Sequence, residues 1–410
     1  MSRLLTPPLS SGRQADSAYS WAVAAATLLI ASLSFGAVTS IPILFAPIAR
    51  EFGWSHGRVA LVHTSAMVCA GLSSIVLGRL LDKRGFFGIA VVGALATGLG
   101  LALASHAQSF AAMVISFGLL VGGIGQGTFF SPIAAAVTHW FDRHRSLAVA
   151  IALSGQSIGG LLVPPLLRSA AEQFGWRQAL QGYGLICTLS MLAAALLYMP
   201  APPLQREPPR PAGAVQTKLR GSRITFLLGA TLYCSNTATF GIAGHMVTYG
   251  EHVGLGPAAA GSLMSALFGI TLFSRLGVGH WMSRGGIYRM MIAMSLLHTC
   301  GAWLVFAAQS PWQLLLGVTI VGIGFGGYVP AYGSLVRSMF PAQQAGRRLS
   351  ELYLLGFLGA GSGTLIVGAL RDVRGGAFDM GFLATAVLAS LATTALVTRR
   401  RDLDPARSRE

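Results

Sequence analysis

The sequence predicts an all-α membrane protein with twelve transmembrane helices in two pseudo-symmetric six-helix bundles. Three observations carry that prediction. Hydrophobic residues make up 53% of the 410-residue chain and charged residues only 10%, against about 25% charged in a soluble domain. Apolar windows of about 20 residues, long enough to cross roughly 30 Å of hydrocarbon, recur along the whole length. One short loop pattern occurs twice, about 200 residues apart: Gly78-Arg-Leu-Leu-Asp82-Lys83-Arg84-Gly85 and Gly279-His-Trp-Met-Ser283-Arg284-Gly-Gly286. A buried soluble core accounts for one or two such windows, not for the whole series.

In order, the windows fall at 21–47, 59–78, 86–105, 110–138, 147–168 and 177–199, then at 224–249, 258–282, 288–308, 312–336, 352–370 and 377–398. Short connections carrying Gly, Pro or charge separate them. Between the sixth and seventh windows the composition changes, with six prolines between Pro200 and Pro211 and several basic residues. That stretch, 200–222, reads as an extended, solvated linker. The expected organisation is a tail at 1–20, a six-helix bundle at 21–199, the linker, a second bundle at 223–398 and a tail at 399–410.

The two halves share more than the loop. Val121-Gly-Gly-Ile-Gly-Gln-Gly127 recurs as Val321-Gly-Ile-Gly-Phe-Gly-Gly327, each followed by a mid-span proline, Pro132 or Pro330, and a basic turn. A constant offset marks an internal duplication. Duplicated membrane halves with a basic hinge at the same place in each are how alternating-access carriers are built.

The net charge of +16 would suggest nucleic acid in a soluble chain, but its distribution says otherwise. With both termini on one side, that side holds Lys83, Arg84, Arg143, Arg145, Arg206, Arg210, Lys218, Arg220, Arg284, Arg347, Arg348 and Arg399 to Arg401. Arg50, Arg58, Arg168, Arg177, Arg371 and Arg374 lie opposite. This positive-inside bias places both termini in the cytoplasm and reports orientation in a lipid bilayer, with no nucleic-acid partner. The expected location is the bacterial inner membrane, crossed many times.

Cys69, Cys187, Cys234 and Cys300 lie inside predicted spans without metal or redox spacing and read as packing residues, so neither metal nor cofactor is expected. Residues 1–20 lack a leader pattern, because 21–47 is too long for an h-region; the first span is expected to be retained. Gly322-Ile-Gly-Phe-Gly-Gly327 fits a dinucleotide fingerprint and Gly155-Gln-Ser157-Ile-Gly159 a nucleophile elbow. Both require a strand before a helix, which a membrane helix does not supply. Small residues four apart instead allow close helix contact in lipid.

Through these motifs the chain resembles the major facilitator superfamily, in particular the bacterial branch grouped with monocarboxylate and oxalate–formate carriers. The likeness covers residues 20–398. The loop Gly78 to Gly85 looks like the superfamily signature between spans 2 and 3, and Glu51-Phe-Gly-Trp-Ser55 like the carboxylate-carrier signature after span 1. His139-Trp-Phe-Asp-Arg-His-Arg-Ser-Leu-Ala148, Gly155 to Pro165 and Phe174-Gly-Trp-Arg177 continue it. The resemblance implies the major facilitator fold, a functional monomer, and a membrane-embedded arginine in span 8 that binds the carried carboxylate; Arg275 stands there. The branch also carries three features that this chain lacks. Thr271 occupies the place of an aspartate implicated in proton coupling in animal members, and Val38, Thr39 and Ser40 stand where a span-1 lysine is expected. The oxalate-type lysine of span 11 is absent too, which leaves coupling ion and substrate open.

Read from the residues themselves, Arg275 is also the leading candidate. A charge at a helix centre costs about 2.5–3.5 kcal/mol on insertion scales, and a planar guanidinium suits a carboxylate; the structural alternative is a snorkelling arginine. Glu351 either pairs with Arg347 or Arg348 at the start of span 11 or transfers protons. Asp82, Lys83 and Arg84, with Arg284 in the second copy of the loop, read as a conformational latch with Asp142, Arg143 and Arg145 as partners. His245 and Asn236 in span 7, with Tyr332 and Gln156, are candidate substrate contacts, and His245 a candidate proton site; the alternative for each is a polar group satisfied by a neighbouring helix. Tyr233 shares span 7, His63, His298 and Gln126 are similarly intramembrane, and Tyr353 and Ser34 join Tyr332 and Gln156 as weaker cavity candidates. Pro42, Pro132, Pro164, Pro165 and Pro330 are expected to bend helices around the cavity.

The expectation is a secondary transporter, not an enzyme, moving a small organic anion by alternating access with a proton or a counter-anion. The alternatives are an efflux carrier for drug-like amphipathic compounds and a non-transporting membrane receptor.

Overall fold

The computed structural model describes residues 14–199, 218–340 and 342–399; the expected linker and both tails lie largely outside them. Every long element among the described residues is a helix. The first half holds Ala18–Ile43, His56–Arg84, Phe86–His106, a composite at 110–138, Arg145–Phe174 and Trp176–Ala195. The second holds Lys218–His252, Pro257–Gly285, Ile287–Ala307, Pro311–Met339, Ala342–Val373 and Asp379–Thr398. These are spans 1 to 12. Ten of the described helices are long and apolar enough to cross a membrane; composite span 4 and span 7, which carries Ser235, Asn236, Thr237 and Thr239, complete twelve.

Two spans differ in detail from the sequence expectation, both because of proline. Span 1 stops at Ile43 rather than 47, and a short helix, Phe45–Phe52, turns away with Phe45 and Ile48 buried. Pro47 has no N–H to donate to the Ile43 carbonyl, so the helix cannot run through. Span 4 is not one helix. A turn at Phe110–Val114 leads into a π-helix, Ile115–Gln126, the chain breaks at Phe130, and Ser131–Thr138 resumes with Pro132 in its first turn. Pro132 cannot donate back to Thr128, and it suits a helix start.

The duplicated loop has one local conformation. Gly85 and Gly286, the last residues of its two copies, adopt φ of +74° and +84° and turn the chain between spans 2 and 3 and between spans 8 and 9. That left-handed region favours glycine. The glycine-rich repeat is likewise explained by packing. Span 4 touches span 2 at Gly122, where a Cβ would lie 2.3 Å from the Ala66 Cα. Span 10 touches span 8 at Gly322, where one would lie 2.7 Å from the Leu267 carbonyl.

Symmetry also organises the seam between the halves. Span 2 packs on span 11, with the Thr64 hydroxyl donating to the Gly361 carbonyl at 2.8 Å. Span 5 packs on span 8, where Phe268 closes on Gly160. Adding six to each span number carries one of these contacts into the other, as a two-fold repeat requires.

The connection between spans 4 and 5 is tied to the start of span 1. Asp16, with φ of +58°, accepts from the backbone N–H groups of Arg143 at 2.9 Å and Asp142 at 3.2 Å and from the His144 ring at 3.1 Å. Burial pushes its carboxyl up, but the bonds from Arg143, His144 and Asp142 outweigh that and hold it down at about 2, against an ordinary 3.8. A lowered folded value means that the clamp contributes fully above pH of about 4 and is lost as pH falls through about 2. Asp16→Ala is therefore expected to lower stability at neutral pH by about 1 kcal/mol. Thermal unfolding in detergent checks this: the difference from the native protein must shrink as pH approaches about 2, and a constant difference rejects it.

Candidate functional site

A cavity of about 730 Å³ lies between the halves, toward the end that carries both termini. Spans 2, 4 and 5 contribute Arg79, Pro132 and Leu153, and spans 10 and 11 contribute Arg337, Glu351 and Tyr353. Two arginines face one acid, so the wall favours an anion. Glu351 itself accepts from Arg348 at 3.1 Å. Phe130, released by the break in span 4, meets Tyr353 and Phe357 edge-on at 5.3 and 4.9 Å. This aromatic contact joins the halves and narrows the cavity.

Beyond it lies a smaller pocket of about 50 Å³, where Gln126 and Gln156 of the first half face Asn236 of the second among Phe35, Met67 and Phe240. Gln126 accepts from Ser34 at 2.7 Å, and Asn236 donates to the Gly356 carbonyl at 3.0 Å while accepting from Tyr328 at 3.2 Å. Arg275 sits behind the wall that Leu153 and Tyr353 form. It is 6% exposed, it donates through a terminal nitrogen to the Leu153 carbonyl of the other half, and its Nε has no partner. None of the ion pairs among the described residues involves it. A buried guanidinium without a carboxylate is suited to receive one.

The residues singled out in the sequence do not all meet. Asn236 and Gln156 share the small pocket, and Arg275 stands behind the neighbouring wall. Tyr332 is buried away from both cavities and donates to Thr231 at 2.7 Å. His245 lies toward the opposite end, where its Nε2 donates to the Thr364 carbonyl at 2.8 Å and its ring meets Phe45 at 5.1 Å. Asp142 pairs with Arg145 at 3.0 Å, and both Asp142 and Arg143 belong to the Asp16 clamp. Asp82, Lys83, Arg84 and Arg284 lie outside the residues whose side chains are described.

The opposite end is shut by groups that the sequence did not single out. Asp372, in the last turn of span 11, accepts from the backbone N–H groups of His56 at 3.0 Å and Gly57 at 2.7 Å, capping span 2 from the other half. Arg371 donates to the His56 Nδ1 at 2.7 Å, and Arg168 of span 5 bonds Glu251 of span 7 at 2.9 Å. Only the adjacent charges Arg371-Asp372 hinted at this in the sequence; their partners lie 315 and 316 residues away. An exposed cap is worth about 1 kcal/mol. Asp372→Ala is accordingly expected to raise the ratio of molecules open at this end about fivefold, read as faster labelling of an Ala60→Cys thiol, a position buried in span 2 here. Unchanged labelling would show that the cap does not hold the end shut.

The signature after span 1 has a structural use as well. Glu51 accepts from Trp176 and from Arg177 at 2.7 Å, joining two of the motifs that carry the family resemblance. Burial pushes its carboxyl up, but the Arg177 and Trp176 bonds outweigh that and hold it below the ordinary carboxylate range.

The Major Facilitator Superfamily model matches residues 26–308 and 226–410. The chain belongs to the major facilitator superfamily. Human monocarboxylate transporter 11 is 27% identical over 91% of this chain and 81% of its own length. Bovine monocarboxylate transporter 13 is 26% identical over 88% and 84%, and the MFS transporter asaE of Aspergillus flavus 25% over 93% and 86%. Among solved structures, a bacterial homologue of the human lysosomal transporter Spinster, in an inward-facing and occupied conformation, superposes with a TM-score of 0.73. That match is 16% identical and covers 94% of this chain and 97% of the other. As a superfamily member this is a multi-pass transporter of the membrane rather than an enzyme, and its relatives include the monocarboxylate branch.

Proposed function

We propose that this transporter moves a small organic anion, a monocarboxylate by preference, by alternating access across a bacterial inner membrane, with its termini in the cytoplasm. It works as a monomer, with a proton or a counter-anion. One observation carries the reading: Arg275 is buried beside the cavity with an unbonded Nε and without a carboxylate partner among the described residues. The basic wall of Arg79 and Arg337 supports it, as do the names of the relatives. The apolar pocket around Phe35, Met67 and Phe240 suits the hydrocarbon part of such an anion.

Arg275 of the second half now bonds a backbone carbonyl of the first. An arriving carboxylate competes for that guanidinium, because it adds an opposite charge and can accept two parallel N–H bonds where the carbonyl accepts one. Loading the site thus loosens a contact across the seam. Coupling needs such a differential contact. The structure is taken to be the state open to the cytoplasm, with Asp372 and Arg168 holding the far side shut.

The aromatic lining favours one second reading, efflux of drug-like amphipathic compounds. Uptake into proteoliposomes separates the two. Lactate, pyruvate, oxalate and larger hydroxy-acids are offered with and without a pH gradient, beside amphipathic cations. Accumulation of an acid supports the proposal, and response to the gradient distinguishes symport from exchange. Movement of the cations alone rejects it.

A further inference from the structure

The shut end holds a polar anomaly. His63 of span 2 is 1% exposed, and neither ring nitrogen has a hydrogen-bond partner. Across the seam His245 of span 7 is fully buried; its Nε2–H is committed to the Thr364 carbonyl, and its Nδ1 has no partner. With the His56 Nε2, four unpaired imidazole nitrogens are buried where the two halves meet, three of them on His63 and His245. Phe45 of span 1 covers the His245 ring at 5.1 Å and Phe378 lies 6.2 Å from it.

Burying polar groups without partners is costly, and burying a charge without one costs more. Among the described residues, the titratable and charged groups near the pair are His56 on span 2 and Arg371 and Asp372 at the end of span 11. Both charges are already engaged: Asp372 on the His56 and Gly57 N–H groups, Arg371 on the His56 ring. Elements bearing Phe45 and Phe378 offer apolar faces. In the shut state an imidazolium has no counter-ion here among the described residues. Separation of the halves would wet both rings and let them take protons.

We propose that His63 and His245 form a proton-binding site, filled only when the end opposite the termini is open, so that acid on that side holds the carrier open there. The proposal rests on the alternating-access reading. Its sign follows from linkage: the open state binds more protons, so its share rises as pH falls. One histidine with an ordinary value near 6.5, free to titrate only in the open state, multiplies the open-to-shut ratio about tenfold between pH 8 and pH 5.5.

The test measures the distance between spin labels at Gln173→Cys and Val373→Cys, one in each half, in full-length protein with its four native cysteines replaced. The expected result is a longer-distance population whose ratio grows about tenfold for each ring that titrates, about tenfold at least, on going from pH 8 to pH 5.5. The measurement is repeated in a His56→Gln background, so that the imidazole of His56 cannot supply the growth. Combining His63→Leu with His245→Gln, which retains a donor for Thr364, abolishes it; His63→Leu alone decides the matter if the double variant does not fold. Gly57→Leu serves as a wedge, because a Cβ there already lies 3.3 Å from the Ala369 backbone. Opening by the wedge with no effect of pH on the native protein overturns the proton site alone, as does a pH response that survives loss of both histidines. A wedge variant that folds yet stays shut at either pH overturns the alternating-access reading and the proposal with it.

Discussion

Replacing Arg275 by glutamine is expected to abolish carboxylate uptake while leaving a folded protein. The introduced amide keeps a donor as a partial substitute for the bond that joins spans 5 and 8, ending two bonds short of the nitrogen that now reaches the Leu153 carbonyl. The fixed positive charge has none. A carboxylate entering the site would exchange water for a wall with no other buried cation among the described residues, and a desolvated anion without a partner is unstable. Removing one member of a buried, hydrogen-bonded charge pair costs about 2–5 kcal/mol, roughly a 30-fold loss or more in uptake at limiting substrate. Arg275→Lys should fall between the two, since it keeps the charge and loses the planar fork. Initial rates in proteoliposomes, beside thermal unfolding to verify the fold, give the answer. Native rates from Arg275→Gln would remove the proposed site.

Adding a single methyl group at Gly122 is expected to damage the packing of the first bundle. Its Cβ would stand 2.3 Å from the Cα and 2.4 Å from the carbonyl oxygen of Ala66, so backbone must move. The equivalent Cβ on Gly322 would first meet the Ile270 side chain, 2.2 Å away. Overpacking of this kind costs about 1–3 kcal/mol and sometimes more, and membrane helices rely on close packing for association. The monodisperse fraction surviving a heat step in detergent should therefore fall for Gly122→Ala, less for Gly322→Ala, and not for Gly277→Ala, where nothing lies within 4 Å. Equal survival of all three would mean that spans 2 and 4 are not held at this separation.

Much of this was legible beforehand because hydrocarbon leaves few options for a backbone. An apolar run must satisfy its own peptide groups and so must be a helix, which is why window after window became a span. The duplicated loop and glycine motif announced the symmetry, and Gly85 with Gly286 and Gly122 with Gly322 show what the repeated residues are for. Local chemistry was less legible. Pro47 and Pro132 were visible in the chain, yet whether a proline bends a helix or ends it depends on what receives the broken segments. Here the Phe45 ring against His245 at the shut end and the Phe130 contact with Tyr353 receive them.

The candidate site was read in part. Depth in span 8 singled out Arg275, and the pocket joins Asn236 with Gln156, whereas His245 lies at the far end and Tyr332 is buried away from the pocket. Membership of a span fixes neither the direction in which a residue faces nor the neighbouring helix it meets, and those two properties separate these side chains.

Composition, hydropathy and repetition by themselves determined the fold class and its two-fold plan, and motif resemblance pointed to the family, since each follows from short-range pattern and the solvent around it. Only the tertiary structure decided which groups meet across the seam. Asp372 finds the start of span 2, Arg168 finds Glu251, and His63 finds no hydrogen-bond partner among the described residues. Those pairings join residues far apart in the chain, and their energies depend on burial and on distances that no local pattern encodes.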